Sequence, residues 1–295
     1  MGNSDVNLPP RLWSRAIRYR LRCIVIVTFA LATCSTLLFQ GPAKADEHAS
    51  RFQATLVDLN GNYPIGITDS AEPSGEAPPS ARAMVGYNLS YVTDFSGTSL
   101  PQTWEVYTGI PMGDPGGRFA ASHVVVSGGL LDLTTFQDPL YGNRWITGGL
   151  CQCGRPRLYG AIFVRSRITG PGPSEIQLLW PANEKWPPEV DLNETGGSST
   201  TTSSSLHYGA ANTVIQRHVT IDMIQWHTWG VIWTPNSMTY TVDGRIWGGV
   251  KGAAYTPKVP MTLDLQQQQQ CEEGRQCPTA PESMLVDWVA EYTKQ

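Results

Sequence analysis

The stretch Met238-Thr-Tyr-Thr-Val-Asp-Gly-Arg-Ile-Trp247 decides the fold class. Residues that suit a pleated, half-buried surface lie on both sides of Asp243-Gly244. A two-residue Asp-Gly loop tolerates positive φ at both positions and matches the twist of the strands it joins. It therefore predicts a type I′ hairpin. Outward from this hairpin the same pattern recurs. Trp226 to Trp233 reads as a buried strand. Ser122-His-Val-Val-Val126, Ser127-Gly-Gly129 and Leu130-Leu-Asp-Leu-Thr134 read as a second hairpin. Tyr159 to Ile168 alternates as a strand, and Ile176 to Trp180, Glu189 to Glu194, Met261 to Leu265 and Met284 to Tyr292 read as further strands. Gly170-Pro-Gly-Pro173 is a turn, and Gly196 to Ser205 reads as a loop too polar to pack. No long segment carries a clean 3.6-residue period. Many short strands without helices predict an all-β protein, a sandwich or jelly roll.

Composition narrows the class of partner. The chain has 295 residues, 16% charged and 41% hydrophobic, with a formal net charge of −4. That suffices for a sizeable core. With no basic run beyond the N-terminal region, nucleic acid is not an expected partner. There are 10 Trp beside 29 Gly and 22 Pro. Indole rings suit stacking on the apolar faces of sugars, although a single Trp is more often core filler. Trp226, Trp233 and Trp288 read as core strand residues.

The N-terminal 45 residues read as a targeting segment. Arg11, Arg15, Arg18, Arg20 and Arg22 form a basic region, Cys23 to Phe39 is apolar, and Ala43-Lys44-Ala45 is an A-x-A cleavage signal of bacterial type. The apolar run, about 17 residues, sits at the lower limit for crossing a bilayer, so an uncleaved membrane anchor is the alternative to secretion. Once the signal is cleaved, no membrane association is expected. Residues 46–81, punctuated by Asn60-Gly61, Pro73, Gly75 and Pro78-Pro79, read as a polar arm or linker before a folded domain over 82–295. Beyond the signal lie Cys151, Cys153, Cys271 and Cys277. An exported chain favours disulfides. Cys271–Cys277 is the preferred pair, with Cys151 and Cys153 bridged locally or reduced. Zinc is disfavoured, because neither pair has C-x-x-C spacing or a neighbouring His.

The chemistry is concentrated in Trp186-Pro-Pro-Glu-Val-Asp-Leu-Asn-Glu-Thr195, where Glu189, Asp191 and Glu194 stand close together. Strand alternation puts Glu189 and Asp191 on one face but sends Glu194 to the other. A retaining glycosidase needs two carboxyl groups about 5–5.5 Å apart, one to attack and one to protonate the leaving oxygen. One β-bulge at Leu192-Asn193 resolves the conflict, because two residues then share one pleat position and Glu194 returns to the face of Glu189. Without it, Glu194 points to solvent at the strand's end. Gln266 to Gln270 continues the alternation of Met261, Leu263 and Leu265, which leaves two readings: a polar cleft lining or a solvated strand edge.

Glu189-Val-Asp191-Leu-Asn-Glu194 resembles the E-x-D-x-x-E signature of glycoside hydrolase family 16 in its bulge-containing form. Tyr91-Val-Thr-Asp-Phe-Ser-Gly97 resembles the family's opening segment. Gly148-Gly149 with Tyr159-Gly160 to Arg167, Trp226 to Pro235, Tyr240 to Gly244 and Met284 to Val289 are similar to its later motifs in order and spacing. The resemblance covers about residues 82–293 and makes 82–295 a catalytic domain. Before the motif, Gly172 to Trp180 lacks the W-P-A-x-W pattern frequent in β-1,3-glucanases.

The resemblance implies a concanavalin A-like β-jelly-roll with a concave cleft, and a secreted retaining endo-glycosidase acting on β-linked polysaccharide of the β-1,3 or mixed-linkage β-glucan type. It implies Glu189 as nucleophile, Asp191 as electrostatic helper and Glu194 as general acid/base. Trp180 and Trp186 flank the acidic strand as candidate sugar platforms, and His207 corresponds to a cleft-lining position. Structural calcium is a habit of the family, but nothing in this sequence marks a ligand set, and no metal site or cofactor is expected. The expected partner is the polysaccharide substrate, and the expected state is a monomer. Asn88-Leu-Ser90 and Asn193-Glu-Thr195 fit the glycosylation sequon by coincidence. Other readings stay open at this stage: a galactanase or transglycosylase of the same family, or a non-catalytic lectin-like jelly roll.

Overall fold

A computed structural model describes residues 63–271 and 277–295. The expected signal segment, residues 1–45, and the first part of the expected arm, residues 46–62, lie outside the described residues. In chain order the first strands are β1 (Ile67–Thr68), β2 (Glu76–Ala77), β3 (Tyr87–Thr93), β4 (Glu105–Val106), β5 (Val124–Ser127) and β6 (Leu130–Asp138). Then come β7 (Arg144–Ile146), β8 (Gly149–Cys151), β9 (Gly160–Ile168), β10 (Ser174–Pro181), β11 (Glu189–Glu194) and β12 (Thr201–Tyr208). The last are β13 (Thr213–Thr220), β14 (His227–Thr234), β15 (Ser237–Val242), β16 (Arg245–Lys251), β17 (Met261–Gln268) and β18 (Glu282–Lys294).

Among the described residues these strands form two large antiparallel sheets and one small hairpin. One sheet runs β13-β12-β11-β10-β17-β8-β4. The other runs β16-β15-β14-β9-β18-β6-β5, with β3 beside β18 and β7 beside β6. Alternate residues of the two sheets meet in one apolar layer. Leu179, Val190, Leu192, Leu206, Leu263 and Leu265 come from the first, and Leu131, Leu133, Val164, Val231 and Val286 from the second. Burying such side chains is the main driving term for folding, and the arrangement is a sandwich of the expected jelly-roll class. Both expected hairpin turns form. Asp243 and Gly244 have φ of 46° and 75°, and Gly128 and Gly129 have 61° and 79°, as a type I′ turn requires.

Several local expectations are corrected. Ser122 and His123 belong to a 3₁₀ turn over Ala121–His123, so β5 starts two residues late. β9 does not alternate; it is buried along both faces. The reason is a second apolar cluster on the outside of its sheet, where Ala161 and Phe163 pack with Trp288, Tyr292 and Met84. From Tyr63 onward, the segment expected as an arm is drawn onto that outer face. β1 and β2 pair there, the Trp288 indole donates to the Glu76 carbonyl at 2.9 Å, and the Tyr292 hydroxyl donates to the Ser80 carbonyl at 3.0 Å. Trp233 and Trp288 are core residues as expected, but Trp226 is half-buried ahead of β14, with the Arg167 guanidinium 5.4 Å from its ring. Both disulfides are present, Cys151–Cys153 and Cys271–Cys277.

Gly196 to Ser205 is not a loop throughout. From Thr201 it is strand β12, and Thr202 to Ser205 are buried. Three of these buried hydroxyls find partners: Thr202 donates to Asn193, Ser203 to the Glu194 carbonyl at 3.3 Å, and Ser205 accepts from Gln216 at 3.0 Å. The glutamine run is not an edge either. β17 lies between β10 and β8, and its glutamines divide: Gln267 turns inward to hydrogen-bond Thr135, while Gln266 turns outward.

Candidate active site

β11 carries the acids, and its register contains the expected irregularity. Asp191 pairs with Ser205 and Glu194 with Ser203, so three steps on β11 match two on β12. On the other flank, Gln177 pairs with Asn193 but Leu178 pairs with Asp191, which leaves Leu192 as the extra residue. This is a β-bulge at Leu192-Asn193. Leu192 and Asn193 both turn inward, Leu192 into the apolar layer and Asn193 to Thr202. Glu189, Asp191 and Glu194 therefore share the face that points away from the core. Asn193 is fully buried, so its sequon is closed to modification in the folded chain.

The acid face is recessed. Ile176, Leu178 and Trp180 of β10 lie beside the acids, and Thr262, Asp264 and Gln266 of β17 lie one strand further. Although Asp191, Leu178 and Asp264 face away from the core, they are only 2%, 3% and 4% exposed. An outward face this well covered is the floor of a depression.

Within it, Asp191 shares a hydrogen bond with Glu189 and accepts another from Ser205. Burial first, and then the charges on Glu189 and Glu194, push the Asp191 carboxyl well above the usual carboxylate range. His207 of β12 pairs directly with Glu189 of β11, with Nε2 3.7 Å from Asp191 Oδ2 and Nδ1 2.9 Å from Asn212 Oδ1. The exposed Trp186 ring lies 5.8 Å from the His207 ring, and its indole donates to Glu189 Oε2 at 2.6 Å. The half-buried Trp180 donates to Glu184 Oε2 at 3.0 Å. All six side chains singled out in the sequence thus meet on one face.

Asp264 was missed. The signal that could have found it is the apolar alternation Met261, Leu263, Leu265, which puts Thr262, Asp264 and Gln266 on the opposite face. Burial pushes its carboxyl up to about 8. It accepts hydrogen bonds from the Tyr107 hydroxyl and from Thr262 at 3.3 Å. Tyr107 carried no sequence signal, since the contact spans 157 residues. Beyond Gly172 to Trp180 the chain does carry a lengthened form of the W-P-A-x-W pattern: Trp180-Pro181-Ala182 is followed by three residues instead of one before Trp186. Among the described residues, no group of three or more His, Cys, Asp or Glu side chains is arranged to hold a metal.

Comparison with known proteins bears on family and fold. The model of glycosyl hydrolases family 16 matches residues 119–290. No curated protein sequence matches the chain. Among solved structures, the chain is similar to the laminarinase from Rhodothermus marinus, with 18% identity and a TM-score of 0.64 over 71% of this chain and 98% of that one. It is similar to the laminarinase catalytic domain from Thermotoga maritima MSB8, with 17% identity and a TM-score of 0.62 over 71% and 99%. It is also similar to SCLam, a non-specific endo-β-1,3(4)-glucanase, with 21% identity and a TM-score of 0.63 over 81% and 98%. At these identities the likeness is one of fold.

Proposed function

The chain belongs to glycosyl hydrolases family 16, and from that premise we propose that it cleaves β-1,3 or mixed-linkage β-glucan within the chain, by double displacement. The observation that carries this reading is the bulge, which turns Glu194 to the face shared by Glu189 and Asp191. In the first step the Glu189 carboxylate attacks the anomeric carbon while Glu194 gives its proton to the departing oxygen. The glycosidic C–O bond breaks and a glycosyl ester of Glu189 forms. Glu194, now ionised, takes a proton from water, and the water oxygen attacks the same carbon and releases Glu189. Asp191 donates its hydrogen bond to Glu189 and stabilises the carboxylate before attack and on its release. Trp180, Trp186 and His207 hold the sugar over the acids. The basic and apolar N-terminal segment and the two disulfides support an exported enzyme.

The test is hydrolysis of a panel of neutral polysaccharides, comparing the natural chain with Glu189→Gln. The natural chain is expected to release reducing ends from β-1,3- or mixed-linkage β-glucan, and the variant none. Full activity in Glu189→Gln overturns the assignment of the nucleophile, and turnover of a galactan alone overturns the substrate.

A further inference from the structure

Three aromatic side chains of the acid face have their polar tips held by a carboxylate side chain. Trp186 is held by Glu189 and Trp180 by Glu184, at 2.6 and 3.0 Å, and Tyr107 by Asp264. Neither Tyr107 nor Asp264 has a part in the chemistry above. Glu105 of β4 pairs with Cys151, which pairs with Asp264, so Glu105 faces the acid side and Tyr107, two residues on, does too. The Tyr107 ring lies across Gly149, where a Cβ would come within 3.1 Å of Tyr107 Cδ2 and 2.8 Å of Phe119 Cε1. Gly149 pairs with Gln266, which pairs with Ile176, the neighbour of Glu194. The ring therefore rests on the same floor as the acids. Its hydroxyl is buried against Asp264 while the residue keeps part of its surface exposed. Phe119 backs it at a centroid distance of 5.6 Å.

We propose that Tyr107, aimed by Asp264, is a sugar-stacking residue that grips a unit of the polysaccharide other than the one being cleaved. Asp264 stands two strands from Asp191, about 10 Å away at the spacing of paired strands, so a sugar over Tyr107 lies beyond the scissile bond. A ring whose hydroxyl is pinned and whose back is packed loses little conformational freedom when a sugar stacks on it. Asp264 is a positioning residue here: it fixes the tilt of Tyr107 and does not touch the reacting atoms. The proposal rests on the reading of this face as a β-glucan cleft.

The experiment is equilibrium binding of a β-1,3-gluco-oligosaccharide series, disaccharide to hexasaccharide, to the full chain carrying Glu189→Gln, with thermal unfolding followed alongside. Adding Tyr107→Ala is expected to weaken hexasaccharide binding about tenfold, the scale of one lost aromatic contact, and to leave the disaccharide unaffected. Tyr107→Phe keeps the ring, folds as the parent does, and loses part of the gain in affinity with chain length. Asp264→Leu matches Tyr107→Phe, whereas Asp264→Asn, which keeps an oxygen for the tyrosine hydroxyl, restores it. Equal weakening at every length, or none, overturns the proposal. Hydrolysis by the natural chain is read separately. Tyr107-dependent hexasaccharide binding without turnover upholds the inference and sinks the hydrolase reading; turnover with no length-dependent loss does the reverse.

Discussion

Asp191 shows how position sets the role of a side chain. It has the same carboxyl group as its neighbours, yet it is 2% exposed, and burial first, then its acidic neighbours, push its carboxyl well above the usual carboxylate range. A hydrogen bond donated to a charged group is worth about 1.5–3 kcal/mol. Asp191→Asn keeps a neutral donor at that place and is expected to retain at least about tenfold more kcat than Asp191→Ala, which removes it. Initial rates on β-glucan check this, and equal rates for the two variants contradict it. Trp186 adds a second donor to the same carboxylate, so Glu189 is held from two sides before any sugar arrives.

Among the elements, β11 was legible because its sequence contradicted itself. Regular alternation allowed two acids on one face, and three were present; a bulge is the smallest change that reconciles them, and the register contains it. Apolar alternation and turn residues likewise exposed the two hairpins and the core strands. What they could not expose were elements held by polar or distant contacts. β12 looked like a loop because Ser and Thr are read as solvent-loving, yet Thr202 donates to Oδ1 of the bulge residue Asn193 and Ser203 to the carbonyl of Glu194. The β1–β2 hairpin looked like a linker because its anchors, Asp287 and Trp288, lie more than 200 residues along the chain. Tyr107 was hidden for the same reason, because its partner Asp264 lies 157 residues along the chain: a contact assembled by topology has no local spacing to read.

At the scale of the whole molecule, two buried acids link stability to pH. Burial raises Glu175 to about 7 and Asp264 to about 8, from ordinary values of 4.5 and 3.8. Glu175 lies inside the sandwich with Ser166 and Gln177, and Asp264 lies on the floor of the site. Between the ordinary and the raised values, the folded chain holds protons that the unfolded chain has released. Stability therefore falls as pH rises from about 4 to about 8 on account of these groups, and levels off above. The melting temperature is expected to decline over that range, with Glu175→Gln and Asp264→Asn each flattening the decline. An unchanged slope in both variants contradicts the protonated state of these acids.

The central claim is that Glu189 attacks the sugar, with Glu194 turned to the same face by the bulge. The most direct measurement is covalent trapping. The natural chain is incubated with an activated 2-deoxy-2-fluoro β-1,3-gluco-oligosaccharide, whose glycosyl ester hydrolyses slowly, and the peptides are examined by mass spectrometry. The account predicts one added glycosyl group, carried on Glu189. Turnover of the reagent with no adduct, or an adduct on any other residue, would contradict it.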